Sequence, residues 1–362
     1  MNASSHIYKK VFVGALVICL CLPSLYFLGL KEKTFSYGSE TITELPSLQT
    51  SSFKKRKFQG EFEQWWNSHF AFRKRMLKTK NQLYDWLNFG LIHAGYSENI
   101  IEGAHQCLFG KYLFASVAKP CPNIPAFDRL EQFYRQAKAK GIAVYFILAP
   151  SKALTYYDYL PARYKYFLSN QCPVNEQLAQ AISALGIRVY DAQPLIERLR
   201  ATHTIEPFPM GGIHWNFWGA GNVLKDSAQH FKWGRIDITD VEKSDTPYFT
   251  EQDLTLLQNL LRKRKIDKVF YKPMLKPYFK WKGRTVIMGD SYSNEYVKML
   301  LEAGIVHQEQ LAHYENTPLT DEDATHIWST KRIILIYSDA IVDPNHQFYQ
   351  KIDKLLTTLK GE

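Results

Sequence analysis

Apolar positions along the chain follow two rhythms that alternate. Residues 126–141, AFDRLEQFYRQAKAKG, carry a helical pattern closed by a C-terminal glycine. Residues 142–150, IAVYFILAP, form a continuous apolar run, as expected of a strand covered on both faces. The pair then repeats: VNEQLAQAISALG (174–186) predicts a helix and IRVYDA (187–192) a strand. Residues 285–288 and 332–338 supply two more strands. Helix then strand, several times over, predicts an α/β fold with a mainly parallel sheet and right-handed crossovers. Sites in such sheets form beyond the C-terminal strand ends, which here carry Pro150-Ser151-Lys152, Asp191 and Gly289-Asp290-Ser291. Residues 232–282 break the rhythm and read as a loop-rich excursion with one helix near 254–261. Upstream, Phe58, Phe62, Trp65, Trp66, Phe72, Met76, Leu83 and Leu87 recur at helical spacing, predicting a stripe that packs on its own domain or lies on a membrane surface.

The stretch VIMGDSYSNEYVKML (286–300) carries the clearest chemical signal. An apolar strand stops at Gly-Asp, and a helix follows with Tyr292, Tyr296 and Leu300 on one stripe. Ser291 stands at the bend, where unpaired N–H groups and the helix dipole favour negative charge. That position suits a nucleophilic hydroxyl, and it equally suits a helix-capping serine. A nucleophilic serine needs a base. Of eleven histidines, His214 has an unusual setting, PMGGIHWNFWGA (209–220). Its glycines allow a tight loop, and its tryptophans are suited to fixing the ring and excluding water. A helix is predicted from near Asn216 to His230.

Composition adds a compartment. Residues 11–30, VFVGALVICLCLPSLYFLGL, carry no charge. Twenty helical residues span about 30 Å, one bilayer core. Lys9 and Lys10 precede them, which places residues 1–10 in the cytoplasm and the remainder outside. Residues 31–57 read as a linker, and 58–362 as the folded domain. A cleaved signal peptide is the rival reading of the first segment, although no good small-residue cleavage site follows it. In an oxidising compartment, Cys107, Cys121 and Cys172 allow one bridge and one spare thiol. Cys121 and Cys172 each precede a proline and a predicted helix, and are the expected pair. Over 362 residues the net charge is +10, concentrated in runs at 54–57, 73–75 and 262–265. Such runs are solvated faces or surfaces that meet an anionic partner. No nucleic-acid module, phosphate loop, dinucleotide fingerprint or metal-spaced histidine pair is visible, so neither a nucleic-acid partner nor a cofactor or metal is expected.

With serine and histidine in place, the sequence resembles the SGNH hydrolase-like domain of bacterial polysaccharide O-acetylation proteins of the AlgX and AlgJ type. The matching segments come in the family's order: Phe72-Arg73 closing an aromatic helix, IIEGAHQCLFGKYLF (100–114), APSKALTYYDYLP (149–161), Gly212-Ile213-His214-Trp215, and Gly289-Asp290-Ser291-Tyr292-Ser293. The resemblance runs from about Phe58 to the C-terminus and implies an SGNH-hydrolase-like domain behind one N-terminal transmembrane helix. It further implies an acetyl-serine intermediate on Ser291, His214 as general base, and an oxyanion held by the Ser291 N–H and nearby helix-start amides, with Asn294 or Ser293 as side-chain helpers. The acceptor would be an exported or cell-surface polysaccharide. A membrane-bound O-acyltransferase would supply acetyl, and the enzyme would sit in the inner membrane as a single-pass protein facing the periplasm. Lys152, Tyr156, Tyr157 and Tyr159, on a loop at the same sheet edge, read as acceptor-sugar contacts or as loop packing, and Asn294 and Trp215 are further expected substrate contacts.

One departure bears on activity. Where the family's alginate enzymes carry an Asp two residues before the histidine, this chain has Gly212. Asp290, Asp191 and Glu206 are the candidate replacements, and a backbone carbonyl is another. An acetyl esterase of the same fold, and a non-catalytic glycan-binding or assembly subunit that has lost the acid, are the alternative functions.

Overall fold

The computed structural model describes residues 3–21, 44–46, 57–69, 73–87, 100–110, 114, 120–168, 174–315 and 318–359. Contacts divide the chain into two units: one of Met1–Ser97 with Leu256–Arg264, the other of Glu98–Thr255 with Lys265–Glu362.

In the first unit, α1 spans Ala3–Cys21, α2 Lys57–His69 and α3 Arg73–Leu87. The expected anchor at 11–30 is described only as far as Cys21, and its remaining residues lie outside the described ones. No helix among the described residues is long and apolar enough to cross a membrane. The aromatic stripe packs in part: Phe62 meets Trp65 with ring centroids 5.5 Å apart, and Trp65 is buried. On α3 the buried side is polar instead, which corrects the expected stripe. Leu83 and Leu87 are exposed, while Asn81 donates from Nδ2 to the Gln258 carbonyl (2.9 Å) and Gln82 Oε1 accepts the Arg262 amide (3.0 Å). Backbone groups of an irregular segment need partners wherever water is excluded, and these amides provide them.

The second unit holds a five-stranded parallel sheet in the order β4-β3-β9-β7-β8. Its strands are β3 (Ala143–Leu148), β4 (Arg188–Asp191), β7 (Thr285–Gly289), β8 (Leu311–Tyr314) and β9 (Arg332–Tyr337). Alternation within each apolar run sends its residues into two separate cores. Tyr145, Ile147, Ile287, Ile334 and Ile336 face one, and Val144, Phe146, Leu148, Val286, Met288, Ile333, Leu335 and Tyr337 face the other. The first core is roofed by α8 (Gln193–Thr202), α9 (Phe217–His230) and α11 (Ser293–Glu302). The second is roofed by α4 (Asp128–Ala139), α7 (Val174–Ala184), α12 (Asp321–Trp328) and α13 (Gln347–Thr358). The continuous apolar strands therefore reflect a three-layer α/β/α arrangement, and the expected fold class stands for this unit. Short helices α5 (Lys152–Thr155), α6 (Ala162–Lys165) and α10 (Asp253–Leu257) sit in the connections.

Two antiparallel hairpins flank the sheet: β1 (Ile100–Glu102) with β2 (Leu108–Gly110), and β5 (Ile236–Ser244) with β6 (Phe270–Pro277). The second falls within 232–282, which the sequence reads as loop. A register shift between Ile238 and Asp240, mixed burial along β5 and two prolines in β6 blur its alternation. Cys121 is disulfide-bonded, Cys172 lies outside the described residues, and Cys107 is a buried free thiol.

Candidate active site

The bend after β7 is built around a glycine. A Cβ on Gly289 would stand 2.5 Å from the Ile336 carbonyl oxygen and 2.6 Å from Ser293 Cβ, so no side chain fits there. Asp290 then closes the turn. Its Oδ1 accepts the Tyr292 amide (3.0 Å), and its Oδ2 accepts the amide (2.8 Å) and hydroxyl (2.7 Å) of Ser338 just past β9. This clasp ties two neighbouring strand ends together and leaves Ser291 projecting at the start of α11. The Ser291 amide makes no hydrogen bond among the described residues, so it is available to an incoming oxyanion.

His214 reaches Ser291 from the loop before α9. Its Nε2 lies 2.7 Å from Ser291 Oγ. Asn216 caps α9 by accepting the Gly219 amide (2.8 Å). Trp215 donates from Nε1 to the Tyr292 carbonyl (3.0 Å), and Tyr292 returns a hydroxyl bond to the Ile213 carbonyl (3.3 Å). The Tyr292 ring also meets the imidazole edge-on at 5.0 Å. The loop bearing the histidine is thus stapled from both sides to the helix bearing the serine.

The other imidazole nitrogen faces Asp253, at the start of α10. Oδ2 stands 3.1 Å from His214 Nδ1, while Oδ1 accepts the Ile213 amide (2.9 Å). The carboxylate and the ring are within ion-pair distance, although the contact falls short of well-aligned N–H···O hydrogen-bond geometry. Burial pushes the imidazole pKa down. The Asp253 bond and the charges of Glu295, Asp253 and Asp290 more than offset it and hold the ring up at about 9.

Asp253 is the acid that faces the outer ring nitrogen of His214, and the packing around Gly212 explains the glycine two residues before the histidine. A Cβ at Gly212 would come within 2.7 Å of Pro209 Cγ and 2.8 Å of the Glu251 carbonyl oxygen. An aspartate has no room there. The signal for Asp253 in the sequence, an acid opening a short apolar helix, is shared by every N-cap aspartate.

The other candidate acids are engaged elsewhere. Asp290 spends both carboxylate oxygens on the turn. Asp191 ends β4, with β3 and β9 between it and β7, and accepts the Gln193 amide (3.0 Å). Glu206 accepts the Tyr156 hydroxyl (2.6 Å).

Three expected substrate contacts point inward and are corrected to structural roles. Lys152 is buried, and its Nζ donates to the carbonyls of Pro209 (2.7 Å), Met210 (3.2 Å) and Gly212 (2.5 Å). Tyr156 and Trp215 are fully buried. Asn294 is part-exposed one helix step past Ser293, and its side chain makes no hydrogen bond among the described residues. Ser293 is buried, and its hydroxyl donates to the Asp290 carbonyl (2.6 Å) and meets His313 Nε2 (2.7 Å). No group of three or more metal-ligating side chains is placed to hold an ion among the described residues.

The chain superposes on the O-acetyltransferase domain of Pseudomonas putida AlgJ, with a TM-score of 0.51 at 16% identity, covering 72% of this chain and 99% of that one. The two share a fold. Pseudomonas aeruginosa AlgX aligns over 72% of this chain and 67% of its own, at 15% identity and a TM-score of 0.49. Bacillus cereus PatB1 aligns over 67% and 96%, at 12% identity and a TM-score of 0.43. No protein-family model matches the chain, and no curated protein matches it.

Proposed function

We propose that this protein is an O-acetyltransferase that moves acetyl from an ester donor to a polysaccharide hydroxyl through an acetyl-serine on Ser291. The observation that carries the reading is the ordered contact Ser291 Oγ to His214 Nε2 at 2.7 Å, with Asp253 at 3.1 Å behind the ring. A shared fold with a domain described as an O-acetyltransferase supports the same chemistry.

The steps follow from the geometry. His214, neutral at Nε2 and protonated at Nδ1, takes the Ser291 proton as Oγ attacks the acetyl carbonyl. The oxyanion meets the free Ser291 amide, and one such donor contributes about 2.7–4 kcal/mol in serine hydrolases. The imidazolium then passes its proton to the departing alcohol, leaving acetyl-Ser291. An acceptor sugar hydroxyl gives its proton to His214 and attacks the acetyl carbonyl; the acetyl–Oγ bond then breaks, and the imidazolium returns that proton to Ser291 Oγ. Asn294, part-exposed beside the nucleophile, is the side chain best placed to assist substrate or oxyanion. Asp253 behind the ring supports a catalytic reading over a non-catalytic one, since an acid faces His214 even with Gly212 in place. The uncharged segment 11–30 behind Lys9-Lys10 supports an inner-membrane, periplasm-facing setting with acetyl supplied by a membrane-bound acyltransferase.

The test incubates the full chain with a chromogenic acetyl ester, with and without an oligosaccharide acceptor. The expected result is an acetyl adduct on Ser291 by mass spectrometry, absent from Ser291→Ala, and faster turnover with acceptor than with water alone. Absence of any Ser291-dependent turnover or adduct overturns the proposal. Turnover indifferent to acceptor converts it to an esterase.

A further inference from the structure

A buried carboxylate that the proposed steps do not use lies on the serine helix and is tied to the loop that carries Asp253. Glu295 sits in the first turn of α11, one turn beyond Ser291, and is fully buried. Its Oε1 accepts the hydroxyl of Thr250, on the loop that leads to Asp253. Its Oε2 has no hydrogen-bond partner among the described residues. An ionised carboxylate stripped of water and half-satisfied is costly unless a positive charge faces it. The groups facing it are His214 from the α9 loop, Asp253 from α10, Glu251 and Thr250 from the connecting loop, and Lys298 one turn on along α11. Burial pushes the Glu295 pKa up to about 7, against the pull of the His214 charge and the Thr250 hydroxyl. Glu251 is also held near 7 by burial, but its two oxygens are occupied by the amides of Phe217 (3.2 Å) and Tyr248 (3.0 Å).

We propose that Glu295 is a second carboxylate serving His214: a positioning residue whose charge, together with that of Asp253, stabilises the imidazolium formed when Ser291 gives up its proton. The inference rests on His214 being the base. Asp253 and Glu295 sit on different elements, α10 and α11, and Thr250 bonds to both. The arrangement sets the protonation of His214 from two sides without touching substrate.

The experiment replaces charge while keeping shape. Glu295→Gln retains an acceptor for Thr250 and loses only the negative charge. The His214 imidazole is titrated by NMR in histidine-labelled full chain, its signal assigned by its loss in His214→Gln. A nearby opposite charge shifts a pKa by about one unit or more, and the Glu295 charge raises that of His214, so Glu295→Gln is expected to lower the His214 titration by about one pH unit. The acid limb of kcat/KM on a chromogenic acetyl ester moves down with it, and Glu295→Asp stays near wild type. Superimposable His214 titrations in wild type and Glu295→Gln overturn the inference. Because this readout needs no turnover, an inactive wild type counts against the proposed function and leaves the coupling measured. Should Glu295→Gln not fold, Thr250→Val weakens the same carboxylate's hold on its charge and is expected to shift the titration the same way by less. An unmoved Thr250→Val titration overturns the inference equally.

Discussion

Asp253 Oδ2 stands 3.1 Å from His214 Nδ1, and the same carboxylate accepts the amide of Ile213 next door. One acid therefore fixes both the backbone and the ring of the histidine loop. Asp253→Asn separates the two jobs. An asparagine oxygen still accepts the Ile213 amide, but its NH2 then faces Nδ1 and selects the tautomer that carries the proton on Nε2. The expected outcome is a folded protein whose kcat on an acetyl ester falls by up to ~10⁴-fold, the loss seen when a triad acid is made neutral. Steady-state kinetics beside a circular dichroism spectrum checks it. A loss under tenfold removes Asp253 from the mechanism.

The pH profile follows from the sign of the His214 shift. The ring must be neutral to act as base, and its pKa is held at about 9 after burial is outweighed by the surrounding carboxylates. Below that value the competent fraction drops tenfold per unit, to about 1% at pH 7. Accordingly, kcat/KM on an acetyl ester is expected to climb with pH to a plateau above about 9. A profile already flat at pH 7.5 contradicts it. Asp253→Asn removes a charge that raises the ring, so its limb moves to lower pH while its plateau falls.

Gly212 offers a direct check on why no acid stands two residues before the histidine. Pro209 Cγ and the Glu251 carbonyl oxygen would lie 2.7 Å and 2.8 Å from any Cβ there, and neither is the end of a flexible chain. Gly212→Ala is expected to destabilise by about 1–3 kcal/mol, the range for overpacking, and to lower activity by displacing His214. Gly212→Asp, which places an acid two residues before the histidine, is expected to do worse. Thermal unfolding and ester turnover test both, and a gain of activity in Gly212→Asp counts against the geometry.

What the sequence disclosed was governed by locality. The strands at 143–148, 285–289 and 332–337 were legible because both faces are buried, and an apolar run needs no context to be seen. Ser291 was legible because Gly289 and Asp290 are required by the turn itself. Asp253 was not. Its place behind the imidazole exists only once residues 250–255 fold against the loop at 209–216, and nothing in the local pattern of Glu-Gln-Asp-Leu announces that. The substrate contacts assigned to Lys152, Tyr156 and Trp215 failed for a related reason. Charged and aromatic residues near a site read as surface groups, yet the tight turns of the histidine loop strand carbonyls and need buried donors to hold them.

Lys152 makes that last point measurable. Its ammonium is buried and donates to three carbonyls of the segment 209–212 that leads into His214. Lys152→Met keeps much of the side chain's length and apolar volume but removes every donor. Each carbonyl left without a partner costs about 1–3 kcal/mol, so several kcal/mol of stability are expected to go. A loop freed from its anchor also displaces the imidazole, and loss of alignment lowers kcat more than it raises KM. Lys152→Arg retains the charge, but its planar fork does not reproduce three converging bonds and is expected to rescue only in part. A residue that instead contacted the acceptor sugar would behave in the opposite way. Its loss would raise KM for the acceptor, spare the thermal transition and leave ester hydrolysis by water intact. Unfolding curves and a KM-against-kcat comparison on the same variants decide between the two.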